Sequence, residues 1–288
     1  MKQIIQGYLD YISNEGRLSD RTINAYRHDL LKFYDFINGK TATLIDREDI
    51  KQFIGLLRNN GNSDSAIARK ISTLRNFFNY LLIEQKITLS PLLSIRTPKI
   101  QEREPSFLSP DESQKLLEAI KQHASPYYKV RDYTIVKLFL STGMRLRELV
   151  NIKLKDVSLN EKSVKITRKG GKEQYIPLNE DICKLLTTYS KQRPQITGDA
   201  LFVSRMKKGI SSSEVYHLIK KYLSLAGITD KKVAVHSLRH TVATALLAGG
   251  INLITIQRLL GHKRITSTQI YTHINDKDLI LAVNKLNI

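Results

Sequence analysis

The chain has 288 residues, 41% of them hydrophobic, enough to bury the core of one large domain or two modest ones. Its 46 Lys and Arg against 27 Asp and Glu leave +19, which points to a polyanionic partner without separating DNA from RNA or from anionic lipid. A single cysteine, Cys183, excludes an intrachain disulfide and a Cys-rich metal site, and no run approaches the roughly 18 apolar residues of a membrane span.

The first ninety residues read as four helices. Ile4, Ile5, Leu9 and Ile12 form one apolar stripe. Ser19 caps a second helix with Ile23, Tyr26, Leu30, Phe33 and Ile37, and Asp46 caps a third with Ile50, Phe53, Ile54 and Leu57. Ser63 or Asp64 opens a fourth, where Ile67, Ile71, Leu74, Phe78 and Leu81 face inward. None is stable alone, so packing must remove these stripes from water. Pro91 and Pro98 then bracket an extended stretch, placing a domain boundary within residues 91–107.

Ser109-Pro110-Asp111-Glu112 restarts a helix with a capping box and proline in the first turn. Helical patterns run through Leu149 and resume at 182–189, 214–226 and 237–247. Between them, residues 163–168 and 173–178 alternate as strands, with Val164 and Ile166 on one face and Gly170-Gly171 at the turn. Lys169 and Lys172 then stand at a hairpin tip. No Gly-rich dinucleotide fingerprint or P-loop is present, so no nucleotide cofactor is expected.

Several residues carry phosphate chemistry. In Thr142-Gly143-Met144-Arg145, Gly143 lets the backbone turn so that Arg145 meets phosphate at a helix entrance, with Glu148 orienting Arg145 or Arg147. His236, Arg239 and His240 fall on neighbouring rows of one helical face; His240 reads as a brace. The His236–His240 spacing suits a metal, but the segment lacks the glutamate of a His-Glu-x-x-His motif and places Arg239 beside the cation, so no metal is expected. Gly261 ends an apolar helix and turns His262 inward, and Tyr271 follows nine residues later as a candidate nucleophile. Lys169 suits a general acid, Lys172 competes with it, and Arg168 reads as a DNA-backbone contact. The charge agrees with this placement: residues 1–90 carry 13 basic and 10 acidic side chains, or +3, against 33 and 17, or +16, in residues 91–288.

Together these motifs resemble the tyrosine recombinase/phage integrase family, especially its Xer-like site-specific recombinases. The matching segments are Thr142 to Leu149, Arg168-Lys169-Gly170-Gly171-Lys172-Glu173, His236 to His240, Leu260-Gly261-His262 and Tyr271. Arg168 stands where the hairpin pattern often has glycine. The resemblance implies two domains, mostly α with a small β-hairpin sheet: an all-helical core-binding domain over 1–90, a linker over 91–107 and a mixed α/β catalytic domain over 108–288. It implies Arg145, Lys169, His236, Arg239, His262 and Tyr271 as the catalytic set, acting through a 3′-phosphotyrosine without cofactor, ATP or divalent metal. Expected partners are double-stranded DNA and a homo- or hetero-tetrameric synapse, with a partner recombinase or accessory protein open. The biological task implied is chromosome-dimer resolution or mobile-element integration and excision; the single cysteine and the lack of an apolar span make a reducing cytoplasm, away from membrane, the expected location. A type IB-like topoisomerase or a noncatalytic DNA-binding protein is the alternative.

Overall fold

The computed structural model describes residues 1–16, 18–99, 106–168, 170–229 and 233–261. Lys169, His262, Tyr271 and the terminal segment Ile280 to Ile288 lie outside the described residues. The chain divides into two compact units, Met1–Arg103 and Glu104–Ile288.

The first unit is helical among its described residues: α1 (Lys2–Asn14), α2 (Asp20–Phe36), α3 (Arg47–Asn59) and α4 (Asp64–Ile83), with a short 3-10 turn at Ala42–Leu44. The caps are those the sequence dictates. Ser19 accepts from the Thr22 N–H and Ser63 from the Ala66 N–H, while Asp46 and Asp49 form a reciprocal box at the start of α3. Leu30, Phe33, Ile50, Phe53, Leu57, Ile67, Phe78 and Leu81 are buried at the centre. Phe33 meets Phe53 edge-on at 5.1 Å and Phe78 at 6.2 Å. Each such ring contributes about 1.5–3 kcal/mol by leaving water. Asp29 of α2 is also buried and receives Arg69, Lys70 and Thr73 of α4, with Arg69 Nη2 and Lys70 Nζ each 2.9 Å from Oδ1.

The second unit is mixed. Its helices are α5 (Pro110–His123), α6 (Pro126–Thr142), α7 (Leu146–Val150), α8 (Glu180–Gln192), α9 (Ser212–Leu225), α10 (Val235–Ala248) and α11 (Leu253–Leu260). Strands β1 (Val157–Ser158), β2 (Ser163–Thr167) and β3 (Glu173–Pro177) form an antiparallel sheet in that order. Val164 pairs with Ile176 and Ile166 with Gln174, so one face joins the core. β1 is two residues long and carries no alternation of its own.

α6 is the central helix. Ile135, Val136, Leu138 and Phe139 are buried all round it, and it packs against α5, α8 and α10. Its one buried ion pair is satisfied internally: Arg131 Nη2 donates to Asp132 Oδ1 at 2.7 Å, Arg131 Nη1 to the Val203 carbonyl, and the Tyr222 hydroxyl to Asp132 Oδ2 at 2.8 Å. Burial first, then Asp132, pushes the Tyr222 phenol well above its ordinary range. Cys183 is buried in this core as a small apolar side chain. The mixed unit and its helical neighbour thus form the two-domain architecture expected of the sequence.

Candidate active site

Two glycines shape the site. Gly143 closes α6 at φ +62° and its N–H caps the Phe139 carbonyl at 2.8 Å. Gly261 closes α11 at φ +65°. A Cβ on Gly143 would lie 2.5 Å from Leu260 Cδ2 and 3.2 Å from Val242 Cγ1. Both positions therefore demand glycine twice, through backbone conformation and through close approach. The contact seats the end of α11 directly on the turn that leads into Arg145.

Arg145 stands at the N-cap of α7, in extended backbone. Glu148, 4% exposed, accepts the Arg145 backbone N–H at 2.7 Å and its Nη1 at 2.8 Å. The pair expected from the sequence thus joins a buried carboxylate by two bonds to an arginine whose side chain stays 38% exposed. Arg145 Nη2 reaches on to the Gly261 carbonyl at 3.1 Å.

Arg239, on α10, reaches the same helix end. Its Nη1 donates to the Gly143 carbonyl at 2.8 Å, and its Nη2 donates to the Leu260 carbonyl. The two guanidiniums proposed to hold phosphate therefore converge on successive carbonyls of one helix end. His236 lies in the first turn of α10 and is exposed; His240, one turn on, is half-buried. Burial, then His236 and Arg239, hold the His240 imidazole below its ordinary value. No third His, Cys, Asp or Glu joins the two histidines as a metal-ligand group among the described residues.

Arg168 differs from expectation. Its side chain is 9% exposed, too buried for a contact with a DNA backbone from the surface. Nη1 donates to Glu148 at 3.2 Å and to the Leu260 carbonyl at 2.7 Å, Nη2 to the Leu259 carbonyl at 2.7 Å, and Nε to Gln174 Oε1 at 2.8 Å. Gln174 in turn donates to the Arg258 carbonyl at 3.0 Å. Strand alternation carried one step past Val164 and Ile166 places residue 168 on the inner face, which was the signal for its burial. Burial lowers the proton affinity of Arg168 and Glu148 works to restore it.

The result is a helix end capped by side chains. The carbonyls of Arg258, Leu259, Leu260 and Gly261 accept from Gln174, Arg168, Arg168 with Arg239, and Arg145 respectively. A helix leaves its last carbonyls without partners and its C-terminus partly negative, so cationic donors suit it on both counts. The backbone of Arg168 also closes the hairpin: its N–H donates to the Lys172 carbonyl at 2.7 Å and its carbonyl accepts from Gly171. Gly170 and Gly171, at φ +90° and +77°, form that turn. Of the expected catalytic set, Arg145, His236 and Arg239 are described, and the two arginines share one helix end. Sequence reasoning gave Arg168 another role, missed Gln174, and did not link Glu148 to the hairpin.

Comparison with known proteins covers nearly the whole chain. The Phage integrase family profile matches residues 106–278, and the Phage integrase, N-terminal SAM-like domain profile matches residues 5–85. Tyrosine recombinase XerC of Caldanaerobacter subterraneus is 37% identical, over 98% of this chain and 86% of the relative. Tyrosine recombinase XerD of Staphylococcus epidermidis is also 37% identical, over 97% of this chain and 96% of the relative. The crystal structure of the XerH site-specific recombinase bound to palindromic difH substrate, a post-cleavage complex, matches with a TM-score of 0.78 and 26% identity, covering 91% of this chain and 79% of that one.

Proposed function

The chain belongs to the phage integrase family of tyrosine recombinases, among its Xer-type members, and on that premise we propose how its residues divide the reaction. The activity is site-specific DNA recombination by tyrosine-recombinase chemistry. The Tyr271 oxygen attacks the scissile phosphorus in line with the 5′ oxygen. A phosphorus–tyrosine bond forms, the bond to the 5′ oxygen breaks, and a 3′-phosphotyrosine remains. Arg145 and Arg239 stabilise the charge that gathers on the non-bridging oxygens, with His236 and His262 adding directed hydrogen bonds. Lys169 delivers a proton to the leaving 5′ oxygen, and His236 assists removal of the tyrosine proton. Attack by the 5′ hydroxyl of a partner strand reverses these steps and joins the new pair. Because the phosphodiester energy is kept in the covalent link, the exchange consumes no ATP.

The observation that carries this reading is the convergence of Arg145 and Arg239 on the Gly261 and Leu260 carbonyls. Two guanidiniums held by neighbouring backbone carbonyls are preorganised, so no reorganisation is needed when charge develops. The +16 excess over residues 91–288 supplies the wider attraction for duplex DNA. Residues 1–90 serve as the helical core-binding domain, 91–107 as the linker and 108–288 as the catalytic domain. The DNA complex is oligomeric; exchanging both strands of two duplexes takes four protomers, one cleavage each.

Tyr271→Phe tests the assignment, since it removes only the attacking oxygen. The variant is expected to bind DNA normally and to form no covalent protein–DNA product on a nicked trapping substrate. Abundant adduct from that variant would show that another residue is the nucleophile. A two-site DNA assay separates strand exchange from relaxation of one duplex, the outcome a topoisomerase would give.

A further inference from the structure

Among the described residues of the site, Arg168 is a cation to which the reaction above gives no task. It is too buried to meet a phosphate from solution, yet the protein commits hydrogen bonds from three of its nitrogens to fixed acceptors. Those acceptors lie on three separate segments: Gln174 on β3, Glu148 on α7, and the Leu259 and Leu260 carbonyls at the end of α11. A Cβ on Gly261 would fall 2.6 Å from Arg168 Cζ, so the guanidinium lies flat against that helix end. With the group pinned in this way it cannot swing aside.

In sequence, the proposed proton donor adjoins this knot. Lys169 follows Arg168 directly, and the Arg168 backbone closes the turn through Lys172 and Gly171. The strands are fixed by their buried face, but the paired register ends at Thr167 and Glu173, so the turn beyond needs an anchor of its own. A proton donor at its tip has to meet the leaving oxygen within hydrogen-bond reach. We propose that Arg168 is a positioning residue for Lys169: it moors the end of β2 to the α11 carbonyls and to Glu148, and so presents the next side chain to the leaving 5′ oxygen. The hairpin tip and the arginine pair are thereby built on one support. This inference rests on the reading of Lys169 as the proton donor.

The test compares full-length Arg168→Gln and Arg168→Lys with Lys169→Ala in single-turnover cleavage of saturating DNA. The DNA carries the cleavage site mapped from trapped ends, with either the natural oxygen or a bridging sulfur at the 5′ leaving position. Sulfur leaves without protonation, so it removes the need for the acid but repairs no general loss of structure. Arg168→Gln is expected to slow the oxygen substrate about 100-fold, the scale of an ångström-sized misplacement. Its DNA affinity should stay within roughly twofold, because no phosphate contact is lost. Sulfur should recover most of the deficit, as for Lys169→Ala. Arg168→Lys keeps a charge but cannot span two carbonyls, so an intermediate deficit with the same recovery is expected, and it carries the comparison if the Gln variant fails to fold. Equal deficits on both substrates, normal rates on both, or weak binding with normal cleavage once bound would overturn the inference. Sulfur rescue of Lys169→Ala without rescue of the Arg168 variants overturns it alone. If sulfur fails to rescue Lys169→Ala, the acid assignment falls as well.

Discussion

Asp29 in the helical unit and Glu148 in the mixed unit are both buried carboxylates that hold two cations. Asp29 takes Arg69 and Lys70, with Thr73, all from α4, so its whole effect is to fix α2 against one neighbour. Glu148 takes Arg145 from its own turn and Arg168 from the hairpin, and both arginines continue to the carbonyls of α11. Burying a charge pair is a poor source of stability in itself. What separates the two sites is where the cations reach next. In one they stop at the carboxylate, and in the other they organise three segments around a helix end.

That contrast can be broken at several points. The largest effect belongs to Arg145→Ala or Arg239→Ala, each expected to lower the cleavage rate of bound DNA by about 10²–10³-fold. Mobility-shift affinity should change far less, and near-normal cleavage by either variant would end the phosphate-clamp reading. Glu148→Gln keeps the shape but weakens charge-assisted bonds of about 1.5 kcal/mol, so single-turnover cleavage should fall roughly tenfold. Asp29→Asn should cost about 3 kcal/mol of unfolding free energy, read by denaturant titration, while bound DNA is cleaved at the normal rate. A cleavage defect in that variant would erase the distinction between the two carboxylates.

The smallest effect concerns His240. Its folded pKa lies below the ordinary 6.5 through burial, then the nearby His236 and Arg239. The unfolded chain therefore takes up the proton first as pH falls. Stability from the neutral imidazole is full above pH 6.5 and is lost as pH drops from there toward the folded pKa. His240→Gln should flatten the fall in melting temperature between about pH 7 and pH 5, and an unchanged slope would remove His240 from the account.

Much of the architecture was legible because it is written locally. Ser19, Asp46, Ser63 and Ser109 sit at helix starts and do there what their side chains do anywhere. Val164 and Ile166 announce a strand by alternation and Gly261 ends a helix where periodicity stops, whereas the break between α6 and α7 at Gly143 lies inside a pattern that reads as helical through Leu149. The partners of Arg168 were not legible, because Glu148 and Leu260 stand 20 and 92 residues away. Its inward parity was readable, but an arginine at a hairpin mouth in a basic chain reads more readily as a nucleic-acid contact. The Arg131–Asp132–Tyr222 network was missed for the same reason: its members gain meaning only when α6 and α9 meet the Val203 segment. Lys169, His262 and Tyr271 are assigned from the order of their motifs alone, and their variants are what test them.

The seating of Leu260 on Gly143 has a consequence for how such a centre tolerates error. Both guanidiniums bond the same short stretch of backbone, and the Gly143 turn that holds one and leads into the other is seated on it, so the two share one frame of reference. Their spacing is thereby protected more strongly than their absolute location. For chemistry that must grip one tetrahedral group from two sides, that is the quantity worth guarding.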